Sequence, residues 1–462
     1  MAHFYIAATQ KSSGKTTLSI GLGRELRNRG LAVQPFKKGP DYIDPLWLGQ
    51  ATGRTCFNLD FHTMPREEIL RLFAQNLEGT AIGLIEGNVG LFDDIDVAGS
   101  RSNAELAKLL RAPVVLVIDC QGMGRGIAPL LLGYRAFDPA LQIAGLVLNK
   151  VGGERHAANL RRAIEHYTDL PVLGAIHRAS EVEIVERHLG LRPLNEAEEA
   201  DARIEAIRAQ IAAQVDVDRV LALAAAATPP EGRILPWSRA PELAGQPYAG
   251  LRVGIARDEA FGFYYPDDLR ALERAGAELV DFSPIHDPEL PRVDALFIGG
   301  GFPECRMAEL EANASMRGAV ADFIAGGGPA YAECGGLMYL CRSLEWGTER
   351  RAMCGVLDAH VVMHARSQGR GYVRLRETDA FPWPRLGEDA PREVRAHEFH
   401  HSAIATPDPD WRYAYEVLRG AGIDGRHDGV VQGRLLACYS HLRDVGGTNW
   451  TRRFLAQVAA GY

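Results

Sequence analysis

This chain of 462 residues has little of three things: long apolar runs, paired cysteines and excess positive charge. No apolar stretch approaches the roughly 20 residues that a membrane-spanning helix needs. The N-terminal segment MAHFYIAATQ has no basic region followed by a long apolar run, as a secretory signal has. We therefore expect a cytoplasmic protein with no membrane partner.

The charge and the cysteines exclude two further classes. The formal net charge of −8 offers no general positive field to nucleic acid, so a phosphate ligand must be met by a local site. The seven cysteines are scattered and form no C-x-x-C pair, which argues against a zinc ribbon or a redox motif. We expect reduced thiols and no nucleic-acid partner.

Length and hydrophobic pattern indicate two α/β domains, because a chain this long exceeds one ordinary core. Short apolar runs such as residues 3–9 and 113–120 alternate with amphipathic helical stretches, which predicts a doubly wound parallel sheet in residues 1–225. Residues 226–249 are rich in proline and aperiodic, and we interpret them as a linker. The pattern restarts in residues 250–462, which predicts a second α/β domain.

A phosphate site is predicted directly after the first strand. In TQKSSGKTT, Gly14, Lys15 and Thr16 open a helix whose leucines recur at positions 18, 22 and 26. Backbone N–H groups and the helix dipole favour a phosphate at such a turn, with Lys15 reaching the terminal phosphates and Thr16 the Mg²⁺ ion. Thr17 completes the candidate set. The motif is incomplete, because Thr9 stands where the P-loop pattern has its first glycine.

Two carboxylates are candidates for the same site. Glu86 closes the run AIGLIEG, and Asp41 lies in FKKGPDYIDP. With Thr16 they form a candidate Mg²⁺ ligand set, since Mg²⁺ takes one or two protein carboxylates and completes its shell with phosphate and water. Lys37 and Lys38 are candidates to neutralise phosphate charge. A helix cap or a surface ion pair is the alternative role for either carboxylate.

The nucleotide is predicted to be ATP. Asn149 ends the run GLVLN, where its side-chain amide is placed to read a base. A guanine-specific N-K-x-D motif needs Asp at position 152, and that residue is Gly152. Adenine is therefore the better match.

A nucleophile is predicted in GPAYAECGGLMYL. Cys334 lies between an apolar strand and a helix that begins with Gly335, an arrangement that exposes the sulfur and in which the helix N-terminus favours the thiolate. Gly300 and Gly301 end another strand, and their N–H groups are candidates, with that of Gly335, for an oxyanion hole. The alternative for a lone cysteine is a small buried apolar side chain.

A thiolate needs a base, and the candidate is His441 in LACYSHLR, which follows a late strand. The sequence alone does not show that His441 reaches Cys334, and a lone histidine is more often structural.

A second histidine motif raises a different possibility. AHEFHHSA contains His397, Glu398 and His401 in the H-E-x-x-H pattern of zinc proteases. The longer zincin pattern fails, because Ile404 and Pro407 stand where it has Gly and His. A zinc protease therefore stays a minor alternative, which metal analysis would decide.

The successive motifs together resemble one known family, the cobyrinic acid a,c-diamide synthase family. The similarity covers nearly the whole chain and keeps the order of the motifs. They are PFKKGPDYIDP, EGNVGLFDD, ERHLGLRP at 186–193, RDEAFGFYYPDDL, GGGFPE, YAECGGLMYL and HEFHHS.

The resemblance implies an N-terminal P-loop domain of dethiobiotin-synthetase type and a C-terminal class I, triad-type glutamine amidotransferase domain. It implies ATP and Mg²⁺ as cofactors, and L-glutamine and a tetrapyrrole carboxylate as partners, with a homodimer left open. In that family glutamine is hydrolysed at the cysteine, ammonia passes to the ATP domain, and acetate side chains of a and c type are phosphorylated and amidated, a step of cobalamin biosynthesis. Carried over by position, the roles fall on Lys15 and Thr16 for ATP and Mg²⁺, Asp41 and Glu86 for metal, Cys334 as nucleophile and His441 as base.

Several residues depart from the family pattern. Arg443 occupies the position two residues after the base, where triad amidotransferases commonly carry Glu, so another group must orient His441. Asn88 and Asp94 differ from corrinoid members, and Asn88 with the KSSGKTT loop resembles a siroheme-amidating branch. Siroheme or nickel-sirohydrochlorin is thus an alternative substrate. We expect His397, Glu398 and His400 at the domain interface, beside a tetrapyrrole or an ammonia path.

A different functional class is also compatible with the first half of the chain. A P-loop ATPase switch of chromosome-partitioning type with a noncatalytic second domain shares the phosphate loop. That type carries a second lysine five residues before the P-loop lysine, and here the position is Gln10, with Lys11 one place away.

Overall fold

The computed structural model describes residues 2–178, 186–187, 190–191, 194, 200–230, 246–387 and 392–461. The chain divides into two compact units, Met1–Trp237 and Ser238–Tyr462. The division falls inside the predicted linker, whose residues 231–245 lie outside the described ranges, as do residues 188–189 and 192–193 of the 186–193 motif. The domain limits 225 and 250 therefore stay predictions. Among the described residues, no helix is both long enough and apolar enough to pass through a membrane.

The first unit is built on one seven-stranded sheet whose strand pairs are all parallel. The sheet order is β3-β2-β4-β1-β5-β6-β7. A short antiparallel pair, β8 and β9, lies outside it. The elements are β1 (His3–Ala8), α1 (Lys15–Asn28), β2 (Val33–Lys38), α2 (Ile43–Thr52), β3 (Phe57–Leu59), α3 (Arg66–Leu77), β4 (Ile82–Glu86), α4 (Asn103–Leu110), β5 (Val114–Asp119), α5 (Ile127–Phe137), β6 (Ile143–Val151), α6 (Glu154–Tyr167), β7 (Val172–His177), β8 (Glu186–Arg187), β9 (Gly190–Leu191), α7 (Ala200–Gln214) and α8 (Val217–Ala225).

The predicted doubly wound parallel sheet is confirmed, and its apolar runs explain it. The central strands are buried along their length, as strands covered by helices on both faces must be. In α1 the leucines at 18, 22 and 26 are fully buried on one face. β1 lies between β4 and β5, so the loop after β1 and the end of β4 meet at the carboxyl edge of the sheet.

The second unit is a mixed nine-stranded sheet in the order β12-β10-β13-β15-β24-β23-β22-β19-β20. The pairs from β12 to β24 are parallel, and those from β24 to β20 are antiparallel. A four-stranded sheet, β17-β16-β18-β21, and the pair β11-β14 complete it. The elements are β10 (Arg252–Ala256), β11 (Phe261–Phe263), α9 (Pro266–Arg274), β12 (Glu278–Phe282), β13 (Ala295–Ile298), β14 (Gly300–Gly301), a 3-10 turn (Pro303–Arg306), α10 (Met307–Ala312), α11 (Ala314–Ala325), β15 (Ala330–Glu333), α12 (Gly335–Leu340), β16 (Cys341–Trp346), β17 (Glu349–Ala352), β18 (Leu357–Met363), β19 (Gly369–Glu377), β20 (Glu393–His400), β21 (Ser402–Ile404), β22 (Arg412–Arg419), β23 (His427–Gln432), β24 (Leu435–Cys438) and α13 (Trp450–Ala459).

Two buried apolar clusters lie on the two faces of this sheet. Phe297 and Tyr331 pack with Trp450 of α13 in one cluster, whereas Ile298 and Ala332 belong to the other cluster. Neighbouring residues of one strand thus face opposite cores, as the two-residue period of a strand requires. The second predicted α/β domain is confirmed, although its large antiparallel half was not predicted.

Candidate active sites

The loop between β1 and α1 contains a backbone turn that requires glycine. Gly14, directly before α1, has φ of 90°, in the left-handed region. A Cβ added there would lie 2.1 Å from the side-chain nitrogen of Asn149. The absence of a side chain at Gly14 therefore allows both the turn and the close approach of β6 to the phosphate loop.

Side chains from the end of β6 brace this loop. The amide of Asn149 donates to the Ser13 carbonyl at 2.8 Å. Lys150 donates to the Ser12 carbonyl at 3.0 Å and pairs with Asp119 at 2.7 Å. Asn149 is thus at the predicted site and holds the loop in shape, while its predicted contact with a base stays a prediction.

The lysine of the phosphate loop is held in a buried position. Lys15 is the first residue of α1 and only 7% exposed. Burial and then the nearby charge of Lys37 lower the pKa of Lys15 to about 8, although Glu86 opposes the shift. An anionic phosphate beside it would raise this pKa again and stabilise the charged form. Thr17, two residues further along α1, is half-buried.

A cluster of oppositely charged side chains lies beside Thr16. The hydroxyl of Thr16 donates to Glu86 at 2.7 Å and to Asp44 at 3.3 Å. Lys37, at the end of β2, binds the same two carboxylates, at 2.7 Å and 2.5 Å. Burial alone would lower the pKa of Lys37, but the charges of Asp44 and Glu86 outweigh it and raise that pKa well above its usual value. The end of β2, the end of β4 and the start of α1 are thereby linked through a few short contacts.

Asp41, which we predicted as a metal ligand, is arranged differently. Its Oδ1 accepts hydrogen bonds from the N–H groups of Ile43 and Asp44 at 2.9 and 3.1 Å, so it caps α2, and its Oδ2 lies 3.8 Å from the Lys37 ammonium. Burial and the charge of Asp44 raise the pKa of the Asp41 carboxyl. The alternative role of a helix cap therefore holds for Oδ1 of Asp41. Asp44, which the sequence reasoning missed, stands in the same FKKGPDYIDP motif and makes the closer contacts.

One carboxylate oxygen of this cluster is suited to bind a Mg²⁺ ion. Oε2 of Glu86 is buried, and among the described residues no hydrogen-bond partner lies near it. An unpaired buried carboxylate oxygen is costly unless a ligand completes it. In the described ranges no three His, Cys, Asp or Glu side chains form a complete metal cage. Mg²⁺ needs none, because phosphate and water supply most of its ligands.

The turn at Cys334 in the second unit is strained. Cys334 has φ of 47° and ψ of −100° between β15 and α12, a conformation rare for a residue with a side chain. Its N–H donates to the Cys438 carbonyl of β24 at 2.7 Å, and its carbonyl accepts from Met338 in α12. The sheet on one side and the helix on the other thus hold the predicted strand–turn–helix elbow in place.

The predicted oxyanion glycines lie at this elbow. A Cβ on Gly335 would lie 3.0 Å from the backbone nitrogen of Gly301, and a Cβ on Gly300 would lie 2.6 Å from Cε1 of His441. The segment 300–301 thus passes between the base candidate and the start of α12, where larger residues would not fit. Gly300, Gly301, Gly335 and His441 are brought together as expected.

One expectation about the thiol is wrong for this structure. The helix N-terminus was expected to favour the thiolate, and the hydrogen bond from the Gly335 N–H does lower the pKa of Cys334. However, burial and the charge of Glu304 raise that pKa more strongly, so it lies above its usual value. Cys334 is only 7% exposed. Burial therefore disfavours the thiolate at this position.

His441 has a carboxylate partner that the sequence reasoning missed. Its Nδ1 lies 3.2 Å from Oε2 of Glu333, the residue directly before Cys334. Glu333 is the last residue of β15 and 2% exposed. The sequence does not predict this role for Glu333, because the family pattern has the orienting carboxylate two residues after the base, at position 443.

Arg443, which occupies that position, is bound elsewhere. It is buried, pairs with Asp267 at 2.5 Å and lies 4.9 Å from the centre of the Tyr265 ring. The Tyr265 hydroxyl is 3.1 Å from Nδ1 of His397, and the His397 ring stacks on His441 at 4.9 Å. A buried line of side chains therefore supports the back of His441.

The HEFHH motif is a strand end, not the helix that a zinc protease requires. His397 lies within β20 (Glu393–His400), whereas His401 follows the strand in a bend, where its Nδ1 lies 3.2 Å from the His364 carbonyl, so the two histidines do not share the face of a helix. Glu398 accepts hydrogen bonds from the N–H groups of Ala421 and Gly422 at 2.7 and 2.9 Å. His400 stacks on Tyr439. His397 therefore packs beside the base, and within the described part of the chain the motif belongs to no group of three metal-binding side chains.

Comparison with known proteins agrees with this two-site arrangement. Residues 4–191 match the family model of the CobQ/CobB/MinD/ParA nucleotide binding domain. Residues 252–444 match that of the CobB/CobQ-like glutamine amidotransferase domain. The two matches cover the two units separately, and the phosphate loop and the cysteine elbow lie within them.

Full-length relatives carry one name. A cobyrinate a,c-diamide synthase of Magnetococcus marinus is 45% identical over 98% of this chain and 96% of its own length. A cobyrinate a,c-diamide synthase of Methanosarcina acetivorans is 42% identical over 95% of this chain and 92% of its own length. One of Archaeoglobus fulgidus is 40% identical over 98% of this chain and 96% of its own length. The chain therefore belongs to the cobyrinate a,c-diamide synthase family, and it is a glutamine-hydrolysing amidoligase.

Proposed function

We propose that this protein amidates the a and c acetate carboxylates of cobyrinic acid, using ATP and ammonia taken from glutamine. The observation that carries the proposal is the presence, in one chain, of the cluster around Thr16, Lys37 and Glu86 and of the Cys334 elbow, whose preceding residue Glu333 contacts His441. The name shared by the full-length relatives supplies the substrate.

The second unit releases ammonia. The sulfur of Cys334 attacks the side-chain amide carbon of glutamine while the thiol proton passes to Nε2 of His441. The carbon–nitrogen bond breaks, the nitrogen takes that proton from His441, and ammonia leaves. Water then attacks the thioester, which gives glutamate and restores the thiol. The N–H groups of Gly301 and Gly335 stabilise the negative oxygen at each addition.

Burial raises the pKa of Cys334, so in this proposal His441 accepts the thiol proton when glutamine enters. Burial suppresses a free thiolate, so the nucleophile forms only in the filled site.

The first unit activates the carboxylate. A substrate carboxylate oxygen attacks the γ-phosphorus of ATP, ADP leaves, and an acyl phosphate forms. Ammonia then attacks the acyl carbon, phosphate leaves, and the nitrogen loses a proton to give the amide. Lys15 and Lys37 offset the negative charge that gathers during phosphoryl transfer. Thr16, Glu86 and Asp44 would hold Mg²⁺, which supplies charge neutralisation at the phosphates.

The setting of the reaction is also part of the proposal. All seven cysteines are free thiols. Free thiols match a reducing compartment, so we place the protein in the cytoplasm.

The test is product analysis by mass spectrometry after incubation with ATP, glutamine and one of three tetrapyrroles. The panel is cobyrinate, siroheme and nickel-sirohydrochlorin. Cobyrinate should gain two amides, each seen as a loss of about one mass unit and confirmed with amide-¹⁵N glutamine. Amidation of siroheme or nickel-sirohydrochlorin alone would replace the substrate assignment. The absence of glutamine hydrolysis in every mixture would favour the ATPase-switch alternative.

A further inference from the structure

We propose that Glu333 is the carboxylate that orients His441, so that the triad is Cys334, His441 and Glu333. The inference rests on the proposed function only in its glutamine-hydrolysing half. Glu333 acts through its contact with the base, which makes it a positioning residue. The conventional position for this carboxylate, two residues after the base, is occupied here by Arg443.

The hydrogen-bond geometry determines the tautomer. A carboxylate oxygen only accepts, so the 3.2 Å contact between Oε2 of Glu333 and Nδ1 of His441 places the proton on Nδ1. The other ring nitrogen, Nε2, is then unprotonated and able to take the thiol proton. The negative charge of Glu333 also stabilises the imidazolium that forms during attack.

The carboxylate is itself held at its second oxygen. Oε1 of Glu333 accepts from the Tyr331 hydroxyl at 2.5 Å and from the backbone N–H of Leu442 at 2.8 Å. Leu442 directly follows the base, so one carboxylate contacts both the ring of His441 and the backbone N–H of the next residue. Such a double attachment limits rotation of the imidazole.

The sheet explains how these residues meet. β15 and β24 are neighbouring parallel strands, and Glu333 is paired with Cys438 in register. His441 follows Cys438 by three residues, so the nucleophile, the base and the carboxylate are all at the carboxyl edge of two adjacent strands. Parallel strands bring such ends together.

The alternative is that Glu333 is only a buried structural acid. A structural role predicts that removing the charge lowers stability, and that folded molecules keep their glutaminase rate and its pH profile. A positioning role predicts a lower rate in folded molecules. Both roles allow a lower melting temperature, so the turnover number of folded molecules is what distinguishes them.

The experiment uses Glu333→Gln in the full-length protein. Glutamine hydrolysis should lose roughly 10²–10⁴-fold in kcat, with a much smaller change in KM, because the amide keeps the shape and loses the charge. Amidation driven by added ammonium should keep its wild-type rate. Glu333→Asp keeps the charge and should recover part of the lost kcat.

A proton NMR spectrum supplies a readout that stability does not affect. The Nδ1 proton of His441, shared with a buried carboxylate, should give a low-field resonance in the wild type. This resonance should be absent in His441→Ala and lost or shifted in Glu333→Gln. Glu377→Gln is the matched control, because Glu377 is also buried, at 7% exposure, and pairs with Arg453 in the same unit. It should keep the resonance and the rate.

The outcomes separate this proposal from the proposed function. If wild-type protein hydrolyses no glutamine, the proposed function fails. If wild-type protein hydrolyses glutamine while folded Glu333→Gln keeps its kcat and its low-field resonance, the role of Glu333 is overturned and the proposed function stands.

Discussion

The carboxylate of Glu333 lies 3.2 Å from Nδ1 of His441, although 108 residues separate the two in the chain. Both residues are at the carboxyl edge of neighbouring strands, and the sulfur of Cys334 belongs to the residue that follows Glu333. The carboxyl edge of the first unit likewise gathers Thr16, Lys37 and Glu86. Each site thus has its own sheet, so each reaction can be disabled separately.

Replacing the nucleophile should separate the two reactions. Cys334→Ala should lower glutamine-dependent amidation by at least about 10³-fold, because no thioester forms. Activity with added ammonium should remain, since the cluster at Lys37 is untouched. Amide production with each nitrogen source measures both.

Cys354→Ala is the control for that experiment, because it removes a half-buried thiol of the same unit that contacts Tyr339 near the end of α12 and not its start at the elbow. It should keep both activities. Loss of the ammonium-dependent reaction in folded Cys334→Ala would contradict the assignment.

The raised pKa of Cys334 predicts slow alkylation of the resting protein. A raised pKa keeps the thiol protonated through neutral pH, so the rate with chloroacetamide should be well below that of an ordinary cysteine and should still be rising at pH 10. Mass spectrometry of the Cys334 peptide against pH gives the rate. A plateau below pH 8 would indicate a resting thiolate and contradict the expectation.

The sequence predicts those residues of the phosphate site that belong to the phosphate-loop motif or stand at the end of a strand. The phosphate-loop motif predicts Lys15 and Thr16, and the strand end predicts Glu86; the structure has Thr16 hydrogen-bonded to Glu86, and the charge of Glu86 acts on Lys15. Asp44 was missed because α2 turns it back toward Lys37, and the start of that helix was not predicted. Local geometry of one helical turn therefore decided which carboxylate makes the closer contacts.

The second site was predictable in its nucleophile and base but not in their support. Glu333 looks like the polar end of a strand, and its partnership with His441 depends on the pairing of β15 with β24. HEFHH was ambiguous because the same letters fit a helix or a strand, and the structure has a strand. Long-range pairing was the missing information in both cases.

Asp44→Asn tests the carboxylate that the sequence missed. It leaves Lys37 paired to Glu86 and, at 3.8 Å, to Asp41, and we expect the free energy of unfolding to fall by about 1–3 kcal/mol. ATP-dependent amidation should fall by roughly 10²-fold, since a charged contact that orients Thr16 and Lys37 is lost. Glutamine hydrolysis should be unchanged. Asp201→Asn, which removes an exposed acid of the same unit, should change neither activity.

Gly14→Ala tests the turn of the phosphate loop. The left-handed backbone costs about 1–2 kcal/mol for alanine, and its Cβ would collide with the Asn149 amide. The loop must shift, so the KM for ATP should rise at least tenfold. Steady-state kinetics with saturating ammonium isolates this effect.

Gly30→Ala is the matched control, because Gly30 has φ of 81° and open space at its Cβ. It should lower stability without changing the KM for ATP. In Gly14→Ala with Asn149→Ala the collision is absent, so the combined loss should be smaller than the sum of the single losses. Additive losses would contradict the collision.

Glu398→Gln tests whether the HEFHH motif is structural. Burial raises the pKa of Glu398, but its contacts with His400 and with the N–H groups of Gly422 and Ala421 outweigh burial and lower it. A lowered pKa contributes stability that is present above the usual glutamate value and is lost as pH falls through the folded pKa. The variant should therefore lose about 1–3 kcal/mol at pH 7, and the difference from wild type should shrink below pH 4.5. Urea unfolding at several pH values measures this difference.

Folded molecules of Glu398→Gln should keep the wild-type kcat for glutamine, because Glu398 holds the 421–422 loop while His397 makes the contact with His441. A fall in kcat as large as that of Glu333→Gln would instead place Glu398 in the catalytic machinery.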